Sequence, residues 1–365
     1  MKVPYSYLEE QFRDPSELLK GVERIVKEGD FTLGRRVLEF EQEFAKFAEV
    51  KYAVGVGSGT AALQLGLEAT GVTNGEVITS PNTFYATVNA IVAAGAKPVF
   101  VDVGDDYNIN PDLIEEAITP RTKAIMPVHL TGRPADMIPI MEIAHKHDLV
   151  VVEDAAQAID ARINGTHVGN FGVAGGFSFH PLKNLNVWGD AGMAVTNDKE
   201  VYENLLMLRN QGMSDRDAWA VYGYNYRIDP LQAYVGRNLI GQTRQLTDKR
   251  IENAMFYDSV LKDIDGIIVP QRKKGVKEVF HTYVIQVRGG RDELYKHLQK
   301  EGIDAKIHYP VPLHLQPAAK DLGYNKGDFP VTEKQTERIL TLPVHSYLTD
   351  EQREYVAKNI KRYYE

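Results

Sequence analysis

Apolar positions along this chain switch repeatedly between helical and strand-like spacing, and the switching predicts the architecture. From Pro15 to Glu28, Leu18, Leu19, Val22, Ile25 and Val26 recur at helical spacing behind the capping residue Asp14, and Gly29-Asp30 ends the run. A second helix is predicted from about Arg36 to Val50, with Val37, Phe40, Phe44, Phe47 and Ala48 on one face. Then comes a short strand, Tyr52 to Val56, the turn Gly57-Ser58-Gly59-Thr60, and an Ala/Leu-rich helix from Ala61 to Glu68.

The same unit then repeats. Strands at Glu76–Thr79, Pro98–Asp102, Ala124–Val128 and Leu149–Glu153 alternate with helices at Phe84–Ala94, Pro111–Ile118 and Met137–His147. Two further strands, Gly175–Phe179 and Met193–Thr196, flank a loop, and a helix follows from Lys199 to Gln211. Another helix starts at Pro230 and is expected to run on toward Asp258. Alternation of this kind predicts an α/β fold, a mostly parallel sheet with helices on both faces. After about residue 262 the pattern changes to a smaller α+β unit. It has strands near 266–270, 282–287 and 306–309, and helices at Arg291–Glu301 and Thr349–Tyr363. The expected division is a large domain over 1–250 and a small C-terminal domain over 251–365.

Ligands of such sheets sit at the carboxyl ends of the strands. Gly57 to Thr60, Asn82 to Tyr85, His129-Leu130-Thr131 and Asp154 to Gln157 all fall there. A strand, a glycine turn and a helix start also make an anion site, because free N–H groups and the helix dipole face the ligand. An ordinary βα turn has the same shape; the hydroxyls of Ser58 and Thr60 tilt this one toward phosphate.

Composition narrows the chemistry. The 365 residues are 43% hydrophobic and 25% charged, ordinary for a globular protein. A formal net charge of −8 gives a nucleic-acid role no electrostatic support. The chain has no cysteine, which removes disulfides, thiolate metal sites and thiol nucleophiles, and no metal site is expected. The N-terminus has no apolar signal core, and no apolar run approaches the roughly 20 residues of a membrane helix. A cytoplasmic protein is expected, with no membrane partner.

One lysine stands out. Lys183 lies in the mostly apolar stretch Phe177-Ser178-Phe179-His180-Pro181-Leu182-Lys183-Asn184-Leu185, and Asp154 ends an apolar strand 29 positions earlier. A lysine able to bond an aldehyde and a carboxylate able to pair with a pyridine nitrogen suit pyridoxal 5'-phosphate.

Motifs along nearly the whole length carry a resemblance. In order they are Phe40-Glu41-Gln42-Glu43-Phe44-Ala45, Gly57 to Leu63, Pro81-Asn82-Thr83-Phe84, Pro98 to Asp102 and Glu153 to Ala158. The lysine stretch, Gly223-Tyr224-Asn225-Tyr226-Arg227 and Tyr309 to His314 complete the set. The chain resembles the DegT/DnrJ/EryC family of pyridoxal-phosphate-dependent sugar aminotransferases, within the fold-type-I superfamily. The resemblance implies a seven-stranded-type sheet and a transaminase. The enzyme would move an amino group from L-glutamate or L-glutamine to a keto-sugar, a nucleotide-linked one, in amino-sugar biosynthesis.

Residue roles follow from the same resemblance. Lys183 would be the cofactor lysine and proton shuttle, and Asp154 the partner of the ring nitrogen. Gln157 would contact the ring near its phenolic oxygen, and Phe84 would stack on its face. Gly59, Thr60, Ala61 and Ser178 would hold the phosphate, with Asn225 reaching the phosphate of a neighbouring subunit. That last contact implies a homodimer with shared active sites. Arg227 would meet a carboxylate, and His308, Tyr309 and His314 the sugar.

Two departures from the family pattern stand out. Ala191 replaces a glycine in Gly189-Asp190-Ala191-Gly192, and Gln211 replaces a histidine in Asn210-Gln211-Gly212. A dehydratase branch carries histidine in place of the lysine, so Lys183 argues against it. Other chemistry on the same cofactor (deoxygenation, desulfuration, aldol cleavage) and a non-catalytic cofactor-binding regulator remain as alternatives; the lack of cysteine disfavours a desulfurase.

Overall fold

The computed structural model describes all 365 residues. Its central sheet has seven strands: β1 (Tyr52–Val56), β2 (Glu76–Thr79), β3 (Lys97–Phe100), β4 (Thr122–Ile125), β5 (Val150–Asp154), β6 (Ala174–Ser178) and β7 (Gly192–Thr196). They lie side by side in the order β1-β7-β6-β5-β4-β2-β3. Pairing is parallel from β6 through β5, β4 and β2 to β3. Only β7 runs against its neighbours, β6 and β1. The strands are apolar because helices cover both faces and leave no polar side to alternate with.

Small residues set how closely those helices approach. A Cβ on Gly176 of β6 would fall 2.7 Å from Leu63 of the helix Gly59–Ala69, and one on Gly236 would fall 2.6 Å from Phe40. The helix start at Gly59 is therefore drawn down onto the carboxyl end of β6, where the site forms. The helix Arg35–Ala48 is tied to β1 by a buried ion pair. Glu41 accepts from Arg209 and from the Gly55 N–H (2.8 Å), and Arg209 also donates to the Gly55 carbonyl (2.9 Å).

A second core lies beyond the sheet. It joins Ala254, Tyr257 and Leu261 of the helix Thr243–Leu261 to Ile285, Leu340, Val356 and Ile360. Its antiparallel strands are Ile267–Ile268, Tyr283–Val287 and Ile339–Leu342. Val3, from the other end of the chain, belongs to this core. The expected boundary at residue 250 falls inside the helix Thr243–Leu261.

Three expected elements differ. The helix expected over Pro111–Ile118 is two short 3-10 turns, Pro111–Leu113 and Glu115–Ala117. Only Ile114 there is buried, so there is no apolar stripe to hold a full helix against the sheet. The long helix expected from Pro230 breaks after Ile240 at Gly241-Gln242. The strand expected near 306–309 is reduced to one bridge, Lys306 to Thr341.

Candidate active site

Two adjacent carboxylates at the end of β5 point opposite ways, as successive strand residues do. Glu153 is fully consumed by structure. It accepts from the N–H groups of Gly169, Phe171 and Gly172, each at 2.8 Å, and meets His129 Nε2 at 3.0 Å. His129 Nδ1 accepts the Ala135 N–H at 3.0 Å, so Nε2 carries the ring proton and donates it to Glu153.

Asp154 faces the other way, into a cavity. Its Oδ2 accepts from the Thr87 hydroxyl at 2.7 Å and its Oδ1 from the Ala156 N–H at 3.1 Å. Burial raises its carboxyl above the usual range, and these two hydrogen bonds with the Lys183 charge pull the other way.

Lys183 enters the same cavity from the loop between β6 and β7. Phe177 and Phe179, both fully buried, anchor the loop's first end. Its closing bonds are Phe179 N–H to Ala191 (2.8 Å), Val187 N–H to Phe179 (2.9 Å) and Lys183 N–H to His180 (2.8 Å). The Lys183 amine has no hydrogen-bond partner. Burial lowers it to about 8, opposed only by the Asp154 carboxylate.

The cavity's third wall is the start of the helix Gly59–Ala69. Ser58 caps it, accepting the Ala61 N–H at 3.1 Å. The N–H groups of Gly59 and Thr60, in the first turn, have no acceptor within the helix and face outward with the positive dipole end. Glycine is required at 59, since a Cβ there would fall 2.7 Å from Ser178 Cβ. The cavity has a volume of about 290 Å³, and Asp154, Lys183, Gly59, Thr60 and Ser178 all line it.

The DegT/DnrJ/EryC1/StrS aminotransferase family model matches residues 13–361. The chain belongs to this family. A "Pleiotropic regulatory protein" of Geobacillus stearothermophilus is 41% identical to this aminotransferase, over 100% of this chain and 99% of its own. The UDP-N-acetyl-3-dehydro-alpha-D-glucosamine 3-aminotransferase of Acidithiobacillus ferrooxidans is 43% identical, over 95% of this chain and 93% of that one. Among solved structures, S. venezuelae DesV in complex with a ketimine intermediate superposes with a TM-score of 0.97 at 38% identity. That match covers 100% of this chain and 99% of DesV.

The family depends on pyridoxal 5'-phosphate, and the aminotransferase's cavity suits it in chemistry. A buried carboxylate without a cationic partner is matched by a ring nitrogen that can carry a proton. An unpartnered neutral-prone amine is matched by an aldehyde, and a helix start with the Ser178 hydroxyl by a phosphate.

Other expected residues divide by placement. Phe84, Gln157, His308 and Tyr309 line the cavity. The Gln157 side chain is fixed by accepting the Thr131 N–H at 2.7 Å, and the Phe84 ring lies 5.7 Å from that of Tyr309. Ala61, Asn225, Arg227 and His314 are absent from its lining. Ala61 is expected to give its N–H to phosphate, but Ser58 already takes it. Asn225 is exposed, and Arg227 donates to Asn210 Oδ1 at 2.9 Å. His314, expected at the sugar, is buried instead against Phe329, its ring 4.7 Å away, and bonded to Glu333 at 3.0 Å. Gln211 is exposed with its N–H on the Tyr224 carbonyl.

Tyr5, Thr83, His180 and His281 also line the cavity, and no role was expected for any of them. Thr83 and Thr87 were within reach. Thr83 belongs to the motif Pro81-Asn82-Thr83-Phe84 at a strand end, and Thr87 lies in the first turn of the helix that follows, Tyr85–Ala93.

Proposed function

We propose that this aminotransferase moves an amino group from L-glutamate or L-glutamine to the carbonyl of a nucleotide-linked keto-sugar. The reading of the acceptor is supported by the likeness to the UDP-sugar 3-aminotransferase. One observation carries the site assignment: the Lys183 amine, the Asp154 carboxylate and the helix start at Gly59 open into a single cavity.

The roles follow from the chain's own groups. Pyridoxal 5'-phosphate, when bound, supplies an aldehyde that takes the amino group and a ring that withdraws electrons from the carbon beside it. Asp154 holds the protonated ring nitrogen. Gly59, Thr60 and Ser178 hold the phosphate. Phe84 packs on the ring and Gln157 lies at its polar edge. The Lys183 amine, lowered to about 8, is neutral often enough near neutral pH to take a proton and return it. His308 and Tyr309 lie at the cavity wall, where an acceptor sugar would enter.

The site is read as shared between two copies of the chain. Asn225 is exposed and does not line this cavity within its own chain, which suits a residue that serves a partner. A cytoplasmic setting accords with the absence of any helix long and apolar enough to cross a membrane.

The test is a two-stage assay. Cofactor-loaded protein mixed with L-glutamate or L-glutamine should change its cofactor absorbance and release the matching 2-oxo acid, one per site. A UDP-linked 3-keto-sugar should then restore the first spectrum and leave as an amino-sugar. Lys183→Ala should do neither. Turnover by Lys183→Ala at the wild-type rate would refute the assignment.

A further inference from the structure

The lysine loop is held from an unexpected quarter, the first residues of the chain. Val3 is buried in the second core, paired with Ile303, and exchanges main-chain bonds of 2.9 Å with Gly302 and Asp304. From that anchor the chain passes the cavity, where Tyr5 lines the wall with its ring 5.6 Å from His308. It then meets the lysine loop twice. The Tyr7 hydroxyl donates to the Lys183 carbonyl at 2.7 Å. Gln11 and Asn186 exchange two amide hydrogen bonds, 2.9 and 2.8 Å.

Each contact is itself braced. The Tyr7 ring stacks on Tyr347, 5.8 Å apart and 10° from parallel, and the Arg250 guanidinium sits 5.0 Å over it. Arg250 is fixed by donating to the Phe280 carbonyl at 3.2 Å. Asn186 also donates to the Pro181 carbonyl at 2.5 Å, so the Gln11 contact reaches both sides of Lys183. Together with the Lys183 N–H bond to His180, both polar groups of the lysine's main chain are occupied.

This bracing matters because the Lys183 amine has no partner of its own. A lysine side chain carries about 2 kcal/mol of rotamer entropy, so an unpartnered amine takes its place from its main chain and from packing. Errors of about 1 Å in a reacting group cost about 100-fold in rate.

We propose that Val3–Gln11 is a positioning strap for Lys183. In it Tyr7 fixes the lysine's main-chain carbonyl and Gln11 fixes the loop that carries it. The proposal rests on reading Lys183 as the cofactor lysine. The strap touches no reacting atom through Tyr7 or Gln11; it acts through the lysine, and it couples the second core to the lysine loop.

The variants are Tyr7→Phe, which keeps the ring contacts and removes only the hydroxyl, and Gln11→Ala. Turnover in the loaded enzyme should fall roughly 10- to 100-fold in each, with KM for the amino donor little changed. A second readout uses the cofactor-free protein. Competitive acetylation of Lys183, followed by peptide mass spectrometry, should show a midpoint near 8 in the wild type. It should rise toward the ordinary lysine value of about 10.4 in both variants, as the released loop admits water. Melting temperatures report folding.

Unchanged turnover, an unmoved acetylation midpoint, or a loss of turnover that tracks a lowered melting temperature overturns the strap. Borohydride reduction of the loaded wild type separates the two readings. If no cofactor is fixed to Lys183, the site assignment fails. If it is fixed there while Tyr7→Phe and Gln11→Ala behave as wild type, only the strap fails.

Discussion

Thr87 gives its hydroxyl proton to Asp154 Oδ2 across 2.7 Å, in a bond fully out of water. Thr83 lies 2.9 Å from the Thr87 oxygen. A hydroxyl has one proton to give, so Thr83 must be the donor of that second bond. The relay delivers one directed dipole to a carboxylate whose pKa burial raises.

The relay predicts the effect of Thr87→Val. The lost bond favoured the charged form, so its loss raises the pH at which Asp154 ionises. The acid limb of the kcat/KM profile should move to higher pH. A hydrogen bond to a charged group is worth roughly 1.5–3 kcal/mol, so the rate at neutral pH should fall at least about tenfold. A pH–rate profile with an unshifted acid limb would remove Thr87 from the mechanism.

Lys183 gives a second pH signature. Its neutral amine is the form that attacks an aldehyde, and burial lowers its pKa to about 8. Capture of pyridoxal 5'-phosphate by cofactor-free protein should quicken with each pH unit up to about 8 and level above it. Stopped-flow absorbance follows this directly; a rate still climbing between pH 9 and 10 would show an ordinary lysine. Stability carries the same sign. Between about 8 and about 10.4 the unfolded chain binds more protons than the folded one, so stability of the cofactor-free protein rises with pH across that window. Below it the burial penalty is fully present. Lys183→Met should therefore be the more stable protein at pH 7, with the gain fading toward pH 10 in urea titrations.

Glu153 is the structural twin of Asp154, and its loss should read differently. Glu153→Ala leaves three N–H groups and the His129 Nε2–H without their acceptor, the Gly169 N–H and His129 fully buried. Each buried group left without its partner typically costs ~1–3 kcal/mol. The variant is expected to lose at least that much in urea unfolding, or to fail to accumulate as folded protein. A fall in turnover with stability intact would contradict this division of labour between the two acids.

Much of this was legible in the chain because the strands are continuous apolar runs and the turns carry glycine. Tyr52–Val56 and Glu76–Thr79 match their expected bounds, and Asp154, Lys183 and Gly59 to Thr60 meet at the strand ends as the α/β pattern requires. What was not legible is non-local. Thr87 reaches Asp154 across 67 positions, and Tyr7 reaches Lys183 across 176. No periodicity encodes such pairings. The strand Ile339–Leu342 was missed although Ile339-Leu340-Thr341-Leu342 ahead of Pro343 is a short apolar run, because a run of four suits a helix end as well as a strand. His314 is likewise fixed by a contact that the motif does not show. Its motif Tyr309 to His314 resembles a sugar-contacting segment, yet burial against Phe329 and the bond to Glu333 give the imidazole a packing role.

That placement makes His314→Ala a stability variant. Removing the ring leaves Glu333 without one partner and opens a void beside Phe329. A loss of ~1–3 kcal/mol is expected from the hydrogen bond alone. KM for the nucleotide-sugar should remain within about twofold, below the tenfold that corresponds to 1.4 kcal/mol of binding. Steady-state kinetics on the folded variant decide it; a KM raised tenfold with unchanged stability would return His314 to the sugar pocket.

The shared-site proposal gives the last expectation. Lys183→Ala should be inactive because the cofactor amine is gone, and Asn225→Ala should be impaired because a neighbour's phosphate loses a contact. If Asn225 serves the partner subunit, the two defects lie on different chains of one site. A mixed dimer then holds one site with both defects and one with neither. Random reassortment makes about half the dimers mixed, so the mixture should recover roughly a quarter of wild-type activity beyond its components. If Asn225 served its own chain, each mixed dimer would hold one site of each defective kind, and mixing would recover nothing. Unfolding and refolding the two variants together, with activity measured against each alone, distinguishes these cases, and chromatography on the same samples shows whether dimers form.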